Sequence, residues 1–367
     1  MQKIIFGITS LSLGGAERVL VDLANELSLK YDVTIFALYG KGEFEEELNN
    51  RVHLIKMYEE SYSELTKIEK IKISLKILWN KKSIYKKYLN NNYDVKIAFL
   101  EGPITRLFSI KNKERKKVAW VHNDIGQVFG KNLKSKIKIR IDKKYYSNYN
   151  DIVFVSEDNK KEFEKIYNLN NNKIVIQNYI SPERVLEKSK QDFENIFEKE
   201  KINFLTVARL TNQKAIDRLI KVHSKLIKDG FDHNFFVIGD GPEKEKLKEM
   251  IKLYDVEKTF KLLGKKNNPY PYIKHCNIFA LLSYFEGYGM VLEEAKILNK
   301  PIIITNTAAR ESVSTYKKSY IVDNTEEGIY KGIKNSIKLL EEWKYEKNVT
   351  YLENCSIIKQ IEKLVGK

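Results

Sequence analysis

The sequence predicts two α/β domains in tandem, each built on a doubly wound parallel sheet. Short runs rich in Val and Ile recur along all 367 residues, with helical or polar stretches between them. Glycine turns follow several of these runs and precede helical stretches, which is the order of parallel-sheet folds. A chain of this length can form two cores. We therefore predict domains at residues 1–180 and 181–367, with the last helix packing back on the first domain.

The first domain begins with a predicted strand at residues 3–11, a turn at Gly14 and Gly15, a helix from Ala16 and a strand at residues 33–38. This order is typical of a mononucleotide-binding βαβ unit. Two glycines before a helix also suit an ordinary tight turn. Further strands are predicted at residues 95–100, 118–122, 152–156 and 174–177.

His122 ends one of these strands, within the string WVHND. Ligands of parallel sheets bind at the carboxyl ends of the strands, so this imidazole is a candidate site residue. A structural role is the alternative interpretation.

The second domain contains two cations in the loop after its first strand. Arg209 and Lys214 lie in VARLTNQKAIDRLI. Arginine offers a planar fork of donors that matches a phosphate group, and lysine offers a mobile point charge. Surface charge is the alternative. The strands predicted in this domain span residues 204–208, 235–238, 260–263, 276–282 and 301–305, and the helices span residues 216–227 and 243–251.

Two carboxylates flank a glycine turn in SYFEGYGMVLEEAKILN. Glu286 and Glu294 are separated by seven residues, and Gly287 and Gly289 lie between them. A helix that begins after such a turn presents free N–H groups that favour a diphosphate. Carboxylates accept hydrogen bonds from sugar hydroxyls, so the pair indicates a sugar nucleotide. Acidic residues in the first turn of a surface helix are the alternative.

Composition limits the classes of protein that the chain can represent. Its hydrophobic content of 43% is typical of a globular protein, and no uncharged apolar segment is long enough to span a bilayer. The N-terminal residues imitate a signal peptide, but we interpret them as the first strand and its turn. Cys276 and Cys355 have no metal or redox spacing, which indicates a reduced, cytoplasmic location.

The formal charge of +16 suggests two kinds of partner. The sequence has no RNA-recognition signature, zinc-finger spacing or clear helix-turn-helix, so we expect no nucleic acid. Residues 68–88 and 131–146 interleave lysines with Ile, Leu, Trp and Tyr. Such basic amphipathic segments favour peripheral contact with an anionic membrane. Solvated helix faces above an ordinary core stripe are the alternative.

Five strings, in this order, resemble the retaining glycosyltransferases of family 4: GGAERV, WVHND, VARLTNQKAID, GDGP and EGYGMVLEE. The last of them looks like the E-x7-E motif of that family. The resemblance implies the GT-B fold, in which two Rossmann-like domains face each other across a cleft. The first would bind the acceptor and the second the nucleotide sugar. The chain departs from the usual pattern at Ala208, Ala215, Leu282 and Asn299.

The resemblance also implies roles for single residues. Glu286 would hold hydroxyls of the donor sugar, Glu294 the ribose, and Arg209 with Lys214 the diphosphate. Gly264 would lie near the base. The residues implied in catalysis are His122, Arg209, Lys214 and Glu286. The residues implied in donor binding are Gly14, Gly15, Arg209, Lys214, Gly264, Glu286, Gly287, Gly289 and Glu294.

The implied reaction is a retaining hexosyl transfer from a nucleoside diphosphate sugar, with a UDP-sugar as the expected donor. The acceptor would be a hydroxyl of a glycan or lipid-linked saccharide, at the inner face of a bacterial cell membrane. The sequence contains no Asp-x-Asp, so we expect no cofactor and no essential metal. A non-catalytic partner subunit of another transferase, a sugar-nucleotide epimerase and a charge-driven nucleic-acid-binding protein remain as alternatives.

Overall fold

The computed structural model describes residues 1–12, 14–62, 64–89, 92–110, 116–122, 133–346 and 350–366. The chain divides into two compact units. The first comprises Met1–Ser181 with Ser356–Lys367, and the second comprises Pro182–Cys355. Each unit contains one sheet in which all the described strand pairs are parallel, and this confirms the predicted fold class.

The first unit has a seven-stranded sheet within the described residues, in the order β3-β2-β1-β4-β5-β6-β7. Its strands are β1 (Lys3–Ile8), β2 (Asp32–Tyr39), β3 (His53–Tyr58), β4 (Val95–Ala98), β5 (Lys116–Val121), β6 (Asp151–Phe154) and β7 (Asn172–Val175). Its helices are α1 (Gly15–Leu27), α2 (Lys67–Tyr88), α3 (Pro103–Phe108), α4 (Leu133–Tyr146) and α5 (Glu157–Tyr167).

The second unit has a six-stranded sheet, in the order β10-β9-β8-β11-β12-β13. Its strands are β8 (Ile202–Val207), β9 (His233–Ile238), β10 (Phe260–Leu262), β11 (Ile278–Leu281), β12 (Ile302–Thr305) and β13 (Ser319–Val322). The remaining helices are α6 (Pro182–Lys188), α7 (Ile216–Lys228), α8 (Lys244–Leu253), α9 (Tyr270–His275), α10 (Met290–Ile297), α11 (Glu326–Trp343) and α12 (Thr350–Val365).

The central strands are buried because helices cover both faces of each sheet. Strands β4, β6, β11 and β12 are buried at every position, and they are mainly apolar, although β4 contains the buried Lys96 and β6 begins at the buried Asp151. Helix α1 turns its predicted apolar stripe, from Val19 to Leu27, towards the core. None of the helices among the described residues is both long and apolar enough to cross a bilayer.

The structure corrects the predicted strands at the sheet edges and at several strand ends. The edge strands β3 and β13 were not predicted, because both are only partly buried and include polar residues such as Lys56 and Ser319. The predictions for residues 3–11 and 276–282 were too long. Leu11, Cys276 and Leu282 are buried, but they lie in loops, so apolar character extends beyond the ladder of hydrogen bonds.

Candidate active site

The strand order of the second unit reverses between β8 and β11, which are neighbours in the sheet. The loop after β8 contains Arg209 and Lys214, and the loop after β11 contains Glu286. In doubly wound sheets, ligands bind at the carboxyl ends of the strands at such a reversal. The candidate residues of these two loops therefore lie at the favoured position in this sheet.

Lys214 and Glu286 contact each other directly. The ammonium of Lys214 forms an ion pair with the Glu286 carboxylate, and the Ser283 hydroxyl lies 3.4 Å from the same carboxylate oxygen. The loops are also joined through Gln213. Its carbonyl accepts from the Tyr284 N–H at 2.9 Å, and its side-chain amide donates to the Phe285 carbonyl at 3.1 Å. The fold thus fixes a cation beside a carboxylate.

Arg209 is exposed, and no ion pair of its guanidinium is found within the described part of the chain. Its loop packs on the GDGP turn, because the Leu210 N–H donates to the Asp240 carbonyl at 3.0 Å. A Cβ atom at Gly239 would lie 1.9 Å from the Ala208 carbonyl oxygen, so this approach requires glycine. The Gly239 N–H in turn donates to the Gly264 carbonyl at 2.9 Å, which brings Gly264 to the same sheet edge.

The glycine turn before α10 has a different requirement at each position. Gly289 has a φ of +72°, a left-handed conformation that side chains disfavour, whereas a Cβ atom at Gly287 would meet open space. Tyr288 is buried between them and donates its hydroxyl proton to Glu293 at 3.0 Å. Glu293 pairs with Lys296 at 2.9 Å. This buried pair anchors the turn on the helix that follows it.

Glu294 is buried on α10, and its carboxylate accepts a hydrogen bond of 2.8 Å from the Tyr270 hydroxyl. Tyr270 was not predicted as part of the site. The sequence holds no signal for it, because it lies outside the glycine turns, 24 residues before Glu294.

Arg218 is a second residue that the sequence did not indicate. It is buried on α7, where it donates to the Leu282 carbonyl at 2.9 Å and to the Asn324 side chain at 2.8 Å. Its guanidinium carbon lies over the Tyr284 ring, 4.2 Å from the ring centroid. Burial lowers the pKa of Arg218. The residue holds the start of the loop that contains Glu286.

Gly14 and Gly15 belong to the first unit, where they precede and begin α1. Both are exposed, but the Glu17 carboxylate folds back over the turn. A Cβ atom at Gly14 would lie 2.1 Å from a Glu17 carboxylate oxygen. Burial raises the pKa of Glu17, and the hydrogen bond from its own N–H opposes that shift. An anion that approaches this helix start therefore meets a carboxylate.

His122 also belongs to the first unit, directly after β5. Its ring centroid lies 4.6 Å from that of Phe99 and stacks at 6.2 Å on Trp120, and the backbone N–H of His122 donates to the Glu101 carboxylate at 2.7 Å. Its Nε2 atom is buried and has no hydrogen-bond partner among the residues that the structure describes. Burial lowers the pKa of His122 to about 3, so the imidazole is neutral near pH 7. The rest of the WVHND string, Asn123 and Asp124, lies outside the described residues.

Comparisons with known proteins agree with this architecture. Residues 13–184 match the family model for Glycosyltransferase Family 4, and residues 187–354 match that for Glycosyl transferases group 1. An uncharacterized glycosyltransferase of Methanocaldococcus jannaschii is 32% identical over 216 residues, which are 57% of this chain and 52% of that protein.

Two further proteins are similar over nearly the whole chain. The N-acetylgalactosamine-N,N'-diacetylbacillosaminyl-diphospho-undecaprenol 4-alpha-N-acetylgalactosaminyltransferase of Campylobacter jejuni is 28% identical over 355 residues, which are 92% of this chain and 91% of that protein. The crystal structure of HepE from Anabaena, in complex with UDP and glucose, has a TM-score of 0.73 at 16% identity and covers 100% of both chains. This likeness supports the GT-B fold.

Proposed function

The chain belongs to the glycosyltransferases that join a family 4 domain to a group 1 domain, and we propose that it is a retaining hexosyltransferase that uses a UDP-sugar. The proposed acceptor is a hydroxyl of a glycan or lipid-linked saccharide, in the synthesis of a surface polysaccharide or glycolipid. The Campylobacter relative is by its name a transferase that acts on a diphospho-undecaprenol saccharide, which supports this class of acceptor.

One observation carries the proposal. The ion pair of Lys214 and Glu286 joins the two loops at the strand-order reversal of the second sheet. A diphosphate requires a cation, and a hexose requires an acceptor for its hydroxyls. The ion pair therefore places a cation and a hydroxyl acceptor close enough together to contact one sugar nucleotide. When no donor is bound, the two charges neutralise each other.

In the proposed reaction, the bond between the anomeric carbon and the phosphate oxygen breaks, and its electron pair leaves with UDP. Arg209 and Lys214 stabilise the negative charge that develops on the diphosphate, which is usually the largest contribution to such catalysis. Glu286 holds hydroxyls of the sugar, and Glu294 holds the ribose. No essential metal is needed in this scheme, because the two cations supply the positive charge.

Retention is proposed to follow from attack on the face that the diphosphate leaves. The acceptor oxygen bonds to the anomeric carbon, and its proton passes to the departing phosphate oxygen, so no covalent enzyme intermediate forms. We propose that His122, which is neutral, contributes hydrogen bonding near the sugar. A neutral imidazole has one donor and one acceptor nitrogen, and it does not add a second positive charge to the cation-like sugar.

Helix α2 supports the proposed contact with an anionic membrane, because it has apolar residues on two opposite faces. Ile77 and Ile84 are buried on one face. The opposite face carries four apolar side chains at intervals of three and four residues, so they form one exposed stripe. These are Ile68, Ile71, Leu75 and Trp79, which are 66%, 61%, 41% and 78% exposed.

Lysines surround this exposed stripe. Lys72 and Lys76 are exposed on the same helix. Further along it, the Lys81 ammonium lies 4.7 Å from the Tyr145 ring of α4. Burial and the neighbouring charges of Lys144 and Lys82 lower the pKa of Lys81. The two basic segments are thus adjacent, although residues 131–132 and the side chains of residues 133–137 lie outside the described set. Each basic residue near an anionic surface contributes about 1 kcal/mol.

Tryptophan fluorescence tests the membrane contact. Of the three tryptophans, Trp120 and Trp343 are buried, so a change in exposed-tryptophan emission reports on Trp79. We expect a blue shift with vesicles that contain phosphatidylglycerol, and none with phosphatidylcholine alone. Trp79→Ser should weaken co-sedimentation, whereas Leu253→Ser, a matched exposed position on α8, should not. Equal binding by both variants would contradict this part of the proposal.

A melting-temperature screen against a panel of sugar nucleotides tests the function. A donor at 100 times its Kd should add about 2.7 kcal/mol to stability. The stabilising donor is then supplied with saccharide acceptors, and NMR of the product gives the anomeric configuration. Binding without transfer or hydrolysis would favour the partner subunit, and turnover without acceptor would favour the epimerase. Steeply salt-dependent oligonucleotide binding without a sugar-nucleotide effect would favour the nucleic-acid-binding protein.

A further inference from the structure

A chain of hydrogen bonds leads to Glu294 from two other helices of the second unit. Arg184, on α6, donates from Nη1 to the Tyr270 hydroxyl at 2.7 Å. Tyr270, on α9, donates to the Glu294 Oε1 atom at 2.8 Å. Tyr270 and Glu294 are both buried, and the Arg184 guanidinium carbon lies 5.5 Å from the centroid of the tyrosine ring.

The chemistry of the three groups fixes the direction of this chain. A guanidinium can only donate, so the tyrosine oxygen accepts from Arg184 and its single proton is directed to the carboxylate. Burial, and after it the charge of Glu294, raises the pKa of Tyr270 well above its usual range. The hydroxyl therefore keeps its proton, and the carboxylate is oriented by a bond that is present without any ligand.

We propose that Tyr270, held by Arg184, is a positioning residue for the ribose of the donor. The inference rests on the proposed role of Glu294 as the acceptor for the ribose hydroxyls. An ionised carboxylate has about four acceptor positions, and Tyr270 uses one of them. With the carboxylate already oriented, the donor does not lose binding free energy in ordering it. Tyr270 acts through Glu294 and does not touch the ribose.

Calorimetric titration with UDP and with 2′,3′-dideoxy-UDP, which lacks both ribose hydroxyls, tests the inference. Tyr270→Phe removes only the hydroxyl oxygen and its proton. We expect it to raise the Kd for UDP about tenfold and to leave the Kd for 2′,3′-dideoxy-UDP nearly unchanged. The preference for the ribonucleotide should therefore shrink about tenfold. Tyr272→Phe is the matched control, a buried tyrosine on the same helix without a hydrogen bond to Glu294, and it should leave both constants unchanged.

The outcomes separate this inference from the proposed function. If Tyr270→Phe weakens both nucleotides equally, its role is only structural and the inference is wrong. If Glu294→Gln also leaves the ribose preference unchanged, or the wild-type chain binds neither nucleotide, the proposed donor site itself is wrong. Arg184→Gln gives a second reading in case the phenylalanine variant melts early. It should also reduce the preference for the ribonucleotide, and an unchanged preference would contradict the proposal that Arg184 holds Tyr270.

Discussion

Lys214 and Glu286, which lie 72 residues apart in the chain, form an ion pair across two loops of the second sheet. Their side chains are 18% and 13% exposed, so the pair is screened from water more than a surface ion pair is. In the proposed complex, the diphosphate becomes the partner of Lys214, and a sugar hydroxyl becomes the partner of Glu286. Donor binding would therefore exchange partners within a preformed site, and Arg209 would be the second cation for the charge that the diphosphate brings.

Loss of either cation should slow transfer severely. We expect Arg209→Ala or Lys214→Ala to lower kcat/KM by about 10²- to 10³-fold, or about 3–4 kcal/mol, by analogy with the loss of one oxyanion donor. Initial-rate assays with the donor from the melting screen measure the effect. Lys248→Ala removes a lysine from an exposed pair with Glu245, and it should change the rate less than twofold. Activity of Lys214→Ala near the wild-type level would contradict the proposed role.

Removal of divalent metal should leave transfer intact. In the proposed site, Arg209 and Lys214 would supply the positive charge that a metal ion provides to a diphosphate in other enzymes. We expect activity in excess EDTA to stay within about twofold of the untreated enzyme, since the charge comes from side chains. Titration with Mg²⁺ and Mn²⁺ after chelation is the control. A complete loss with EDTA that either metal restores would contradict metal independence.

Ala215 adopts a left-handed conformation with a φ of 52°, directly before α7. This conformation destabilises an L-residue by about 1–2 kcal/mol, and glycine adopts it without that strain. Glycine also raises the conformational entropy of the unfolded chain, which offsets part of the stabilisation. Ala215→Gly should therefore raise the free energy of unfolding by about 0.5–1 kcal/mol in urea denaturation. Ala208→Gly is the control, because Ala208 has no positive φ, and it should lower stability. A lower free energy of unfolding for Ala215→Gly would show that the backbone at Ala215 is not strained.

Removing one partner of the buried Glu293–Lys296 ion pair should destabilise the fold more than replacing both partners with apolar residues. The side chains are 5% and 3% exposed, and Lys296 also donates to the Ser312 carbonyl at 2.7 Å and lies 3.2 Å from the partly exposed Glu353 carboxylate. Burial raises the pKa of Glu293, and the Lys296 ammonium opposes this shift. Lys296→Met should cost about 3–5 kcal/mol of unfolding free energy, because it leaves a buried carboxylate unpaired.

The double variant Glu293→Leu with Lys296→Met is the test of that explanation. The double variant no longer buries an uncompensated carboxylate at position 293, although Glu353, which is partly exposed, still loses its contact with Lys296, so part of the lost stability should return. Urea denaturation of the wild type and the three variants forms a double-mutant cycle. If the double variant is as unstable as Lys296→Met alone, the ion pair does not account for the loss.

The sequence predicted the central architecture well, because a buried parallel strand is a continuous apolar run. It failed where burial and strand pairing differ. Leu282 is as buried as the strand before it but lies in a loop, and the edge strand β3 pairs although Lys56 interrupts its apolar pattern. These differences depend on which helices cover the sheet, and local sequence does not encode that.

The residues of the candidate site were also predicted only in part. Charged residues beside strand ends and glycine turns indicated Arg209, Lys214 and Glu286 as site residues, and the structure shows that their two loops are neighbours; their catalytic roles stay predictions. Ala215 and Asn299, noted as departures where glycine is common, both have positive φ values, which explains that preference. The chain of hydrogen bonds from Arg184 to Glu294 could not be predicted from the sequence, because it joins three helices that only folding brings together.

Acid should destabilise the second unit through two buried histidines. The Nδ1 atom of His233 lies 2.9 Å from the Phe231 carbonyl oxygen. Because a carbonyl can only accept, this nitrogen carries the proton. In the neutral ring, the Nε2 atom of His233 then accepts a hydrogen bond of 2.9 Å from the Nδ1 atom of His223. His223 Nε2 then accepts from the Thr259 hydroxyl at 2.9 Å. With both rings neutral, all of the ring nitrogens of His223 and His233 have a hydrogen-bond partner. Burial lowers the pKa of His223 to about 2 and also lowers that of His233, where the Phe231 carbonyl and Asp232 oppose the shift.

The sign follows from the unfolded chain, in which each histidine has a pKa of about 6.5 and binds a proton below it. Because burial lowers both pKa values in the folded state, stability is lost as the pH falls below about 6.5, by up to about 1.4 kcal/mol per pH unit for a histidine that stays neutral when folded. Urea denaturation between pH 7 and 5 measures the slope, which should shrink in His223→Gln. His53→Gln, at an exposed position, is the control and should keep the wild-type slope. An equal slope in His223→Gln would mean that other groups, such as buried His122, cause the acid sensitivity.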